Sequence, residues 1–159
     1  MDNNGCIKSF NEWVKVKNQK DWNKEKKERK EALKTNSDYV RELQVVFNTF
    51  IRFRDKDRLC ISCPNELKGK YDAGHYHSVG SYPELRFNED NVSGQCVHCN
   101  QHKRGNLIEY SINLPLRIGK KRFNKLTELK NIPKKYTIQE LKGLKELYKL
   151  KIKQFEDKN

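Results

Sequence analysis

Two C-x2-C pairs, Cys60-Ile-Ser-Cys63 and Cys96-Val-His-Cys99, stand 32 residues apart and restrict the possible folds of this chain more than any other feature. Together they offer four sulfurs for a tetrahedral site that leaves no position for water, the arrangement of a structural zinc ion. Four unrelated buried thiols would have to produce both spacings by coincidence. Metal binding would also supply folding energy that a thin core lacks, because an unfolded chain has no preformed site. The chain has 159 residues, enough for one domain with extensions. Its fifth cysteine, Cys6, falls outside both pairs and reads as a spare thiol in a reducing compartment, not as part of a disulfide framework.

The charge balance points to the partner. Lys and Arg total 34 against 21 Asp and Glu, a net charge of +13, which favours a polyanion and nucleic acid first among polyanions. No stretch approaches the ~20 apolar residues that span a bilayer, and MDNNGCIKSF has no signal-peptide core, so an intracellular protein without a membrane partner is expected.

Residues 1–36 read as a charged N-terminal arm, rich in Lys, Glu and Asn from Lys15 onward. A charged helix, a disordered leader and an extension that tracks phosphates all fit this composition. Asn36-Ser37-Asp38 are capping-type residues, followed by Val40, Leu43, Val46, Phe47, Phe50 and Phe53 at helical spacing, which predicts a helix over 37–53 with one apolar side. Its outer face and exit carry Arg41, Arg52, Arg54, Lys56 and Arg58, either solubilising charge or a docking strip for phosphates. Short pieces at Tyr71–His77 and Leu85–Phe87 suggest a small hairpin, and a helix is expected directly after Cys99. A further helix runs from Leu107 to Arg117, with Pro115 or Gly119 at its bend or end. Residues 120–159 form a C-terminal helical extension. There Thr137-Ile-Gln-Glu140 is a capping box, and Leu141, Leu144, Leu147, Tyr148 and Ile152 continue at helical spacing. That helix either covers the core and pairs with the helix at 37–53, or forms a dimer seam.

All four histidines lie between Leu59 and Asn106. The order there is Asp72-Ala-Gly-His75-Tyr-His77, then Leu85-Arg86-Phe87-Asn88 and Asn91, then Cys96-Val-His98-Cys99-Asn100-Gln-His102-Lys103-Arg104-Gly105-Asn106. This order resembles the HNH, or His-Me finger, nucleases, in which a histidine on a short β-hairpin faces a metal ligand on the following helix. The resemblance implies an α+β chain with a ββα-metal core, braced by treble-clef-type zinc knuckles and flanked by α-helices. Residues 37–119 would hold that core. The Asp-x-Gly-His arrangement is similar to that of non-specific nucleases of the superfamily, where the histidine is the general base, and His75 matches that position. Asn91 matches the middle Asn of the pattern, whose family role is to hold the hairpin loop and orient the base; an ordinary turn residue reads equally well. The residue before the matched histidine is Gly74, where the commonest HNH pattern has a liganding Asp or His.

Further segments narrow the resemblance to the phage NinG/Rap family. They are Phe47-Asn-Thr-Phe-Ile-Arg-x-Arg-Asp-x-Asp, Leu-Cys-Ile-Ser-Cys, Asp-Ala-Gly-His-Tyr, Leu-Arg-Phe-Asn-Glu, Gln-Cys-Val-x-Cys-Asn-Gln-His-Lys-x-Gly-Asn and Arg117-Ile-Gly. The match covers Val40 to Gly119, and the N-terminal arm lacks the cysteine-rich segment that some relatives carry. It implies an endonuclease that uses a divalent metal to cut branched recombination DNA such as Holliday junctions and D-loops. The cytoplasm of an infected bacterium, other recombination proteins as partners and a homodimer all follow as expectations.

The chemistry of the residues agrees with this resemblance. Phosphodiester hydrolysis needs a base to activate water and a cation to stabilise the charge on the phosphoryl oxygens. A neutral imidazole accepts a proton near physiological pH, and charged Lys or Arg cannot. Asn100 follows the last cysteine of the cluster directly and lies 25 residues after His75, so the zinc site would fix its side chain relative to the hairpin. Its amide oxygen suits Mg²⁺ or Mn²⁺, with Asp72 as the second candidate ligand. His77, two residues from His75, would point to the same side of an extended strand and touch a phosphate or assist the metal. Lys103 and Arg104 would neutralise developing charge or simply be solvated. His98 and His102 read as structural or exposed. Two other classes compete with the nuclease: a zinc-stabilised DNA-binding module without catalysis, which leaves Asp72, His75 and Asn100 unexplained, and an interaction protein that uses its amphipathic helices, which leaves the basic excess unexplained.

Overall fold

Among the described residues the chain forms five α-helices, of which the second and fifth arise from periodic apolar residues, and one short hairpin lies between the second and third. The computed structural model describes residues 3–130 and 132–157, with side chains from residue 9 onward, so the side chain of Cys6 lies outside the described residues. The elements in order are α1 (Asn3–Ala32), α2 (Asn36–Asp55), β1 (Tyr71–His75), β2 (Val92–Cys96), α3 (Leu107–Ile118), α4 (Lys120–Leu129) and α5 (Ile138–Glu156). The chain divides into two compact units, Met1–Asp38 and Tyr39–Asn159.

The first unit is dominated by α1, thirty residues long and solvated on nearly every side. The arm is helical over Asn3–Ala32 and not a disordered leader. Pairs one turn apart support it, including Arg29 with Glu25 at 2.6 Å and Lys17 over the Trp13 ring at 5.2 Å.

In the second unit, α2 and α5 share one apolar cluster. Leu43, Phe47, Phe50 and Ile51 of α2 are buried with Leu141 and Tyr148 of α5, together with Phe87 and Val92. The Tyr148 ring packs edge-on to Phe47 at 4.9 Å and tilted against Phe50 at 5.0 Å, so aromatic contacts tie the two helices together. Both ends of the capping box are present at Thr137 and Glu140. At the start of α2, Asp38 reaches back to the amide and hydroxyl of Thr35, at 2.8 and 2.7 Å, one residue before the predicted capping run. A second cluster, of Ile61, Leu85, Tyr110, Leu114 and Leu126, packs α3 and α4 beneath the hairpin. No helix among the described residues is long and apolar enough to cross a membrane.

Three expectations need correction. The partner of β1 is Val92–Cys96, antiparallel with Tyr71 opposite Cys96 and His75 opposite Val92. Leu85 and Phe87 are apolar because each anchors a different core cluster, and Leu85 ends a short 3-10 turn from Pro83. Around and after Cys99 the chain makes only a five-residue π-helical turn, His98–His102. Positive φ angles at Arg104, Gly105 and Asn106 then break it, and α3 begins at Leu107. Arg54 belongs to no outward strip. It donates to Asp55 at 2.8 Å and to the carbonyls of Glu89 and Val92 at 2.9 and 2.8 Å, while the fully buried Asp55 accepts from the Gly94 amide at 2.8 Å. This clamp joins the end of α2 to β2.

Candidate metal centre and active-site cleft

The register that sets Tyr71 opposite Cys96 brings the second cysteine pair back to the first. The four Sγ atoms of Cys60, Cys63, Cys96 and Cys99 all lie within 4.8 Å of one another. Cys63 and Cys96 are 3.7 Å apart, close to the ~3.8 Å edge of a tetrahedron with ~2.3 Å zinc–sulfur bonds. Backbone amides point at the sulfurs: Ser62 and Cys96 donate to Cys60 at 3.4 and 3.3 Å, and Cys99 donates to Cys96 at 3.4 Å. Such donors stabilise thiolates, and the cluster therefore fits a zinc ion in donor type, spacing and outer hydrogen bonding. Burial pushes the Cys60 and Cys99 thiols up. At Cys96 burial is outweighed by hydrogen bonds from the Cys99 amide and the neighbouring thiols, and its pKa falls below the ordinary thiol value.

A buried polar network extends from this cluster to the hairpin. Gln95 donates to Ser62 Oγ at 2.7 Å and to the Gly105 carbonyl at 2.5 Å, and Asn106 donates to the Ser62 carbonyl at 2.8 Å. The first cysteine pair, β2 and the left-handed turn before α3 are thus held in one arrangement. Gln95, Ser62 and Asn106 belong to no motif that marks this role in the sequence. The one signal was a polar residue, Gln95, between Gly94 and Cys96 in a strand that proves buried on both faces. Gly74, which departs from the commonest pattern, has a steric reason: a Cβ there would lie 2.2 Å from Gln95 Oε1.

His75 ends β1, and its Nε2 lies 3.1 Å from the Arg86 carbonyl. A carbonyl only accepts, so this contact sets Nε2 as the protonated nitrogen and leaves the lone pair on Nδ1. Burial, with the Arg86 charge nearby, holds the His75 pKa below its ordinary value of 6.5, although the Arg86 carbonyl contact works the other way. Asn91 is fully buried. It accepts from the His77 amide at 2.8 Å and donates to the His77 and Leu85 carbonyls at 3.0 and 3.2 Å. It therefore closes the loop after β1 and fixes the peptide next to the carbonyl that holds His75.

His75 and Asn100 line one open cleft of ≈ 560 Å³, with His77, Tyr82 and Arg104 also in its wall. Asp72 is not in that wall. Its Oδ2 accepts from Asn100 Nδ2 at 2.9 Å and from Gln101 Nε2 at 2.7 Å, which leaves Oδ1 of Asn100 as the acceptor available to a cation. His77 borders the cleft for a different reason from the one expected: β1 stops at His75, so His77 sits in the bend beyond the strand. Arg104 is exposed at the rim, in the left-handed turn and not on a helix. His98 and His102 are exposed, with rings 6.0 Å apart. Among the described residues, the cysteine cluster is the one grouping of three or more His, Cys, Asp or Glu side chains close enough to share an ion.

Comparison with known proteins gives a consistent family. The model of the NinG family, described as bacteriophage lambda NinG protein, matches residues 5–158. The chain is 44% identical over 125 residues to protein ninG of Escherichia phage lambda, an alignment covering 79% of this chain and 61% of the relative. It is 42% identical over 129 residues to protein ninG of Salmonella phage P22, covering 81% and 63%. For protein ninG of Escherichia phage 933W the identity is 42% over 125 residues, with 79% and 62% covered. The chain spans about three fifths of the length of these curated relatives. No solved structure matches it.

Proposed function

This chain belongs to the NinG family of bacteriophage proteins, and on that premise we propose that it is a metal-dependent endonuclease cutting branched DNA such as Holliday junctions and D-loops. The single observation carrying this reading is the open cleft that has both His75 and Asn100 in its wall. In the proposed reaction, Nδ1 of His75 takes a proton from water as the water oxygen forms a bond to phosphorus and the 3′ oxygen departs in line. The Arg86 carbonyl holds the imidazole in the tautomer that can accept that proton, and Asn91 holds the loop that carries the carbonyl. Arg104 at the rim binds a phosphate oxygen. Asn100 Oδ1 would hold Mg²⁺ or Mn²⁺, which when bound supplies positive charge beside the phosphoryl and departing oxygens. Asp72 then acts as a positioning residue, holding the Asn100 amide through its nitrogen. The ββα-metal description of the core belongs to the same proposal, with the hairpin, the π-helical turn and α3 braced by a zinc-bound cysteine cluster.

The alternative is a zinc-stabilised DNA-binding protein without catalysis. It is favoured by the engagement of Asp72 with two amides, which leaves Asn100 as the sole oxygen ligand named for a catalytic cation. A cleavage assay separates the two readings, with synthetic four-way junctions and linear duplexes incubated with Mg²⁺ or Mn²⁺ and with EDTA. The nuclease cuts the junction only with the cation, and His75→Ala abolishes cutting with zinc content and junction binding unchanged. Binding without any cutting by the unsubstituted protein supports the alternative.

A further inference from the structure

The wall of the cleft beside His75 is aromatic in a way that proton transfer and phosphate binding do not require. Tyr76, His77 and Tyr82 all line it. The His77 ring lies 4.6 Å from Tyr76 and 5.0 Å from Tyr82, edge-on to the latter. Tyr76 in turn packs on Tyr110 and Phe123 at 5.4 and 6.0 Å, so the group rests on the core and is not a mobile fringe. The loop joining these residues is short and internally bonded. Ser78 Oγ accepts from the Ser81 amide at 3.2 Å, the Tyr82 amide donates to the Ser78 carbonyl at 2.9 Å, and Asn91 bonds both the amide and the carbonyl of His77.

His77 is poorly suited to a phosphate. Its Nε2 is shut from solvent with no hydrogen-bond partner, and burial together with the Lys130 charge favours the neutral ring. A neutral imidazole packed against two tyrosines, two residues from the proposed base, gives this part of the cleft wall aromatic rings and not a charge.

We infer that His77 and Tyr82 form a stacking platform for one unstacked DNA nucleobase next to the scissile phosphate in the same cleft. In a continuous duplex each base already has neighbours on both faces. At a branch point, a flap or the edge of a D-loop, one face is free and can be taken by an aromatic side chain with little regard to base identity. The platform therefore selects branched DNA by structure and not by sequence. This inference rests on the endonuclease reading for the phosphate in the cleft, but it makes its own binding prediction.

The test uses the full chain carrying His75→Ala, so that DNA stays intact, and a four-way junction with 2-aminopurine at the crossover. Binding is expected to change the 2-aminopurine fluorescence. Adding Tyr82→Leu or His77→Leu should abolish that change and weaken junction binding about tenfold. Tyr82→Phe should retain both, and affinity for a linear duplex should not move. Zinc content and melting temperature identify a variant that has failed to fold, and the other leucine variant then gives the reading. An unchanged signal and affinity in a folded leucine variant overturns the platform, as does equal loss of junction and duplex affinity. If the unsubstituted protein cuts no DNA with Mg²⁺ or Mn²⁺ and the Tyr82-dependent signal persists, the hydrolytic reading fails and the platform stands. Junction cutting without that signal defeats the platform alone.

Discussion

At the scale of single residues, Gly74 is the most exacting position near the cleft. A Cβ would lie 2.2 Å from Gln95 Oε1, and Gln95 has no room to give because its nitrogen is bonded to both Ser62 and Gly105. Gly74→Ala is expected to cost about 1–3 kcal/mol, read as a fall in melting temperature, with a larger fall in cutting rate than in DNA affinity. Truncating the obstruction in the double variant Gly74→Ala/Gln95→Ala should recover part of the stability, which a double-mutant cycle measures. A second expectation concerns pH. The pKa of His75 is lowered from 6.5, so the proposed base is neutral at neutral pH, and on the proposed mechanism the cutting rate should fall on the acid side only below pH 6.5. An acid limb centred above 6.5 would contradict His75 as the base. The candidates His75, Asn91 and Asn100 stand out in the sequence through their order, which resembles the HNH pattern, and His75 and Asn100 line one cleft. Gln95 and Asn106 do not stand out, because an amide shows its importance only when folding buries it and supplies its partners.

At the scale of elements, the Arg54–Asp55 clamp decides how α2 meets the hairpin. Removing one member of a buried, hydrogen-bonded ion pair leaves the other charge uncompensated, so Asp55→Ala is expected to destabilise the protein by about 3–5 kcal/mol in denaturant titration. Burial tends to raise the Asp55 pKa, but the hydrogen bond and charge of Arg54 and the Gly94 amide hold it below 3.8. The sign follows from linkage: the clamp stabilises fully above pH 3.8 and loses its contribution as pH falls through the lowered native value. The same geometry explains what was legible. Helices α2 and α5 announced themselves through apolar periodicity and caps, local signals that tertiary packing then reinforced. The second strand did not, because Val-Ser-Gly-Gln-Cys is buried on both faces and has no alternation to show, whereas Leu85 and Phe87 mimic alternation while serving separate clusters. Arg54 was misread for a related reason, since an arginine at a helix exit looks solvated until its carbonyl partners arrive from 35 and 38 residues away.

At the scale of the whole molecule, the cysteine cluster and the basic excess make separate demands. Chelation should loosen the Tyr39–Asn159 unit, because the segments joined through Ser62, Gln95 and Asn106 lose their common anchor; a large drop in melting temperature after zinc removal, reversed by added zinc, is expected. DNA affinity should fall steeply with added salt, since each neutralised phosphate releases counterions, and a flat salt response would remove phosphate contacts from the account of the +13 charge. The seating of Leu141 and Tyr148 of α5 against Phe47 and Phe50 of α2 also bears on biosynthesis. Those partners are separated by about a hundred positions, so a ribosome has to deliver α5 about a hundred residues after α2 before the apolar interior can close. Interrupted translation would therefore leave nascent fragments with a greasy seam uncovered, fit for proteolytic clearance.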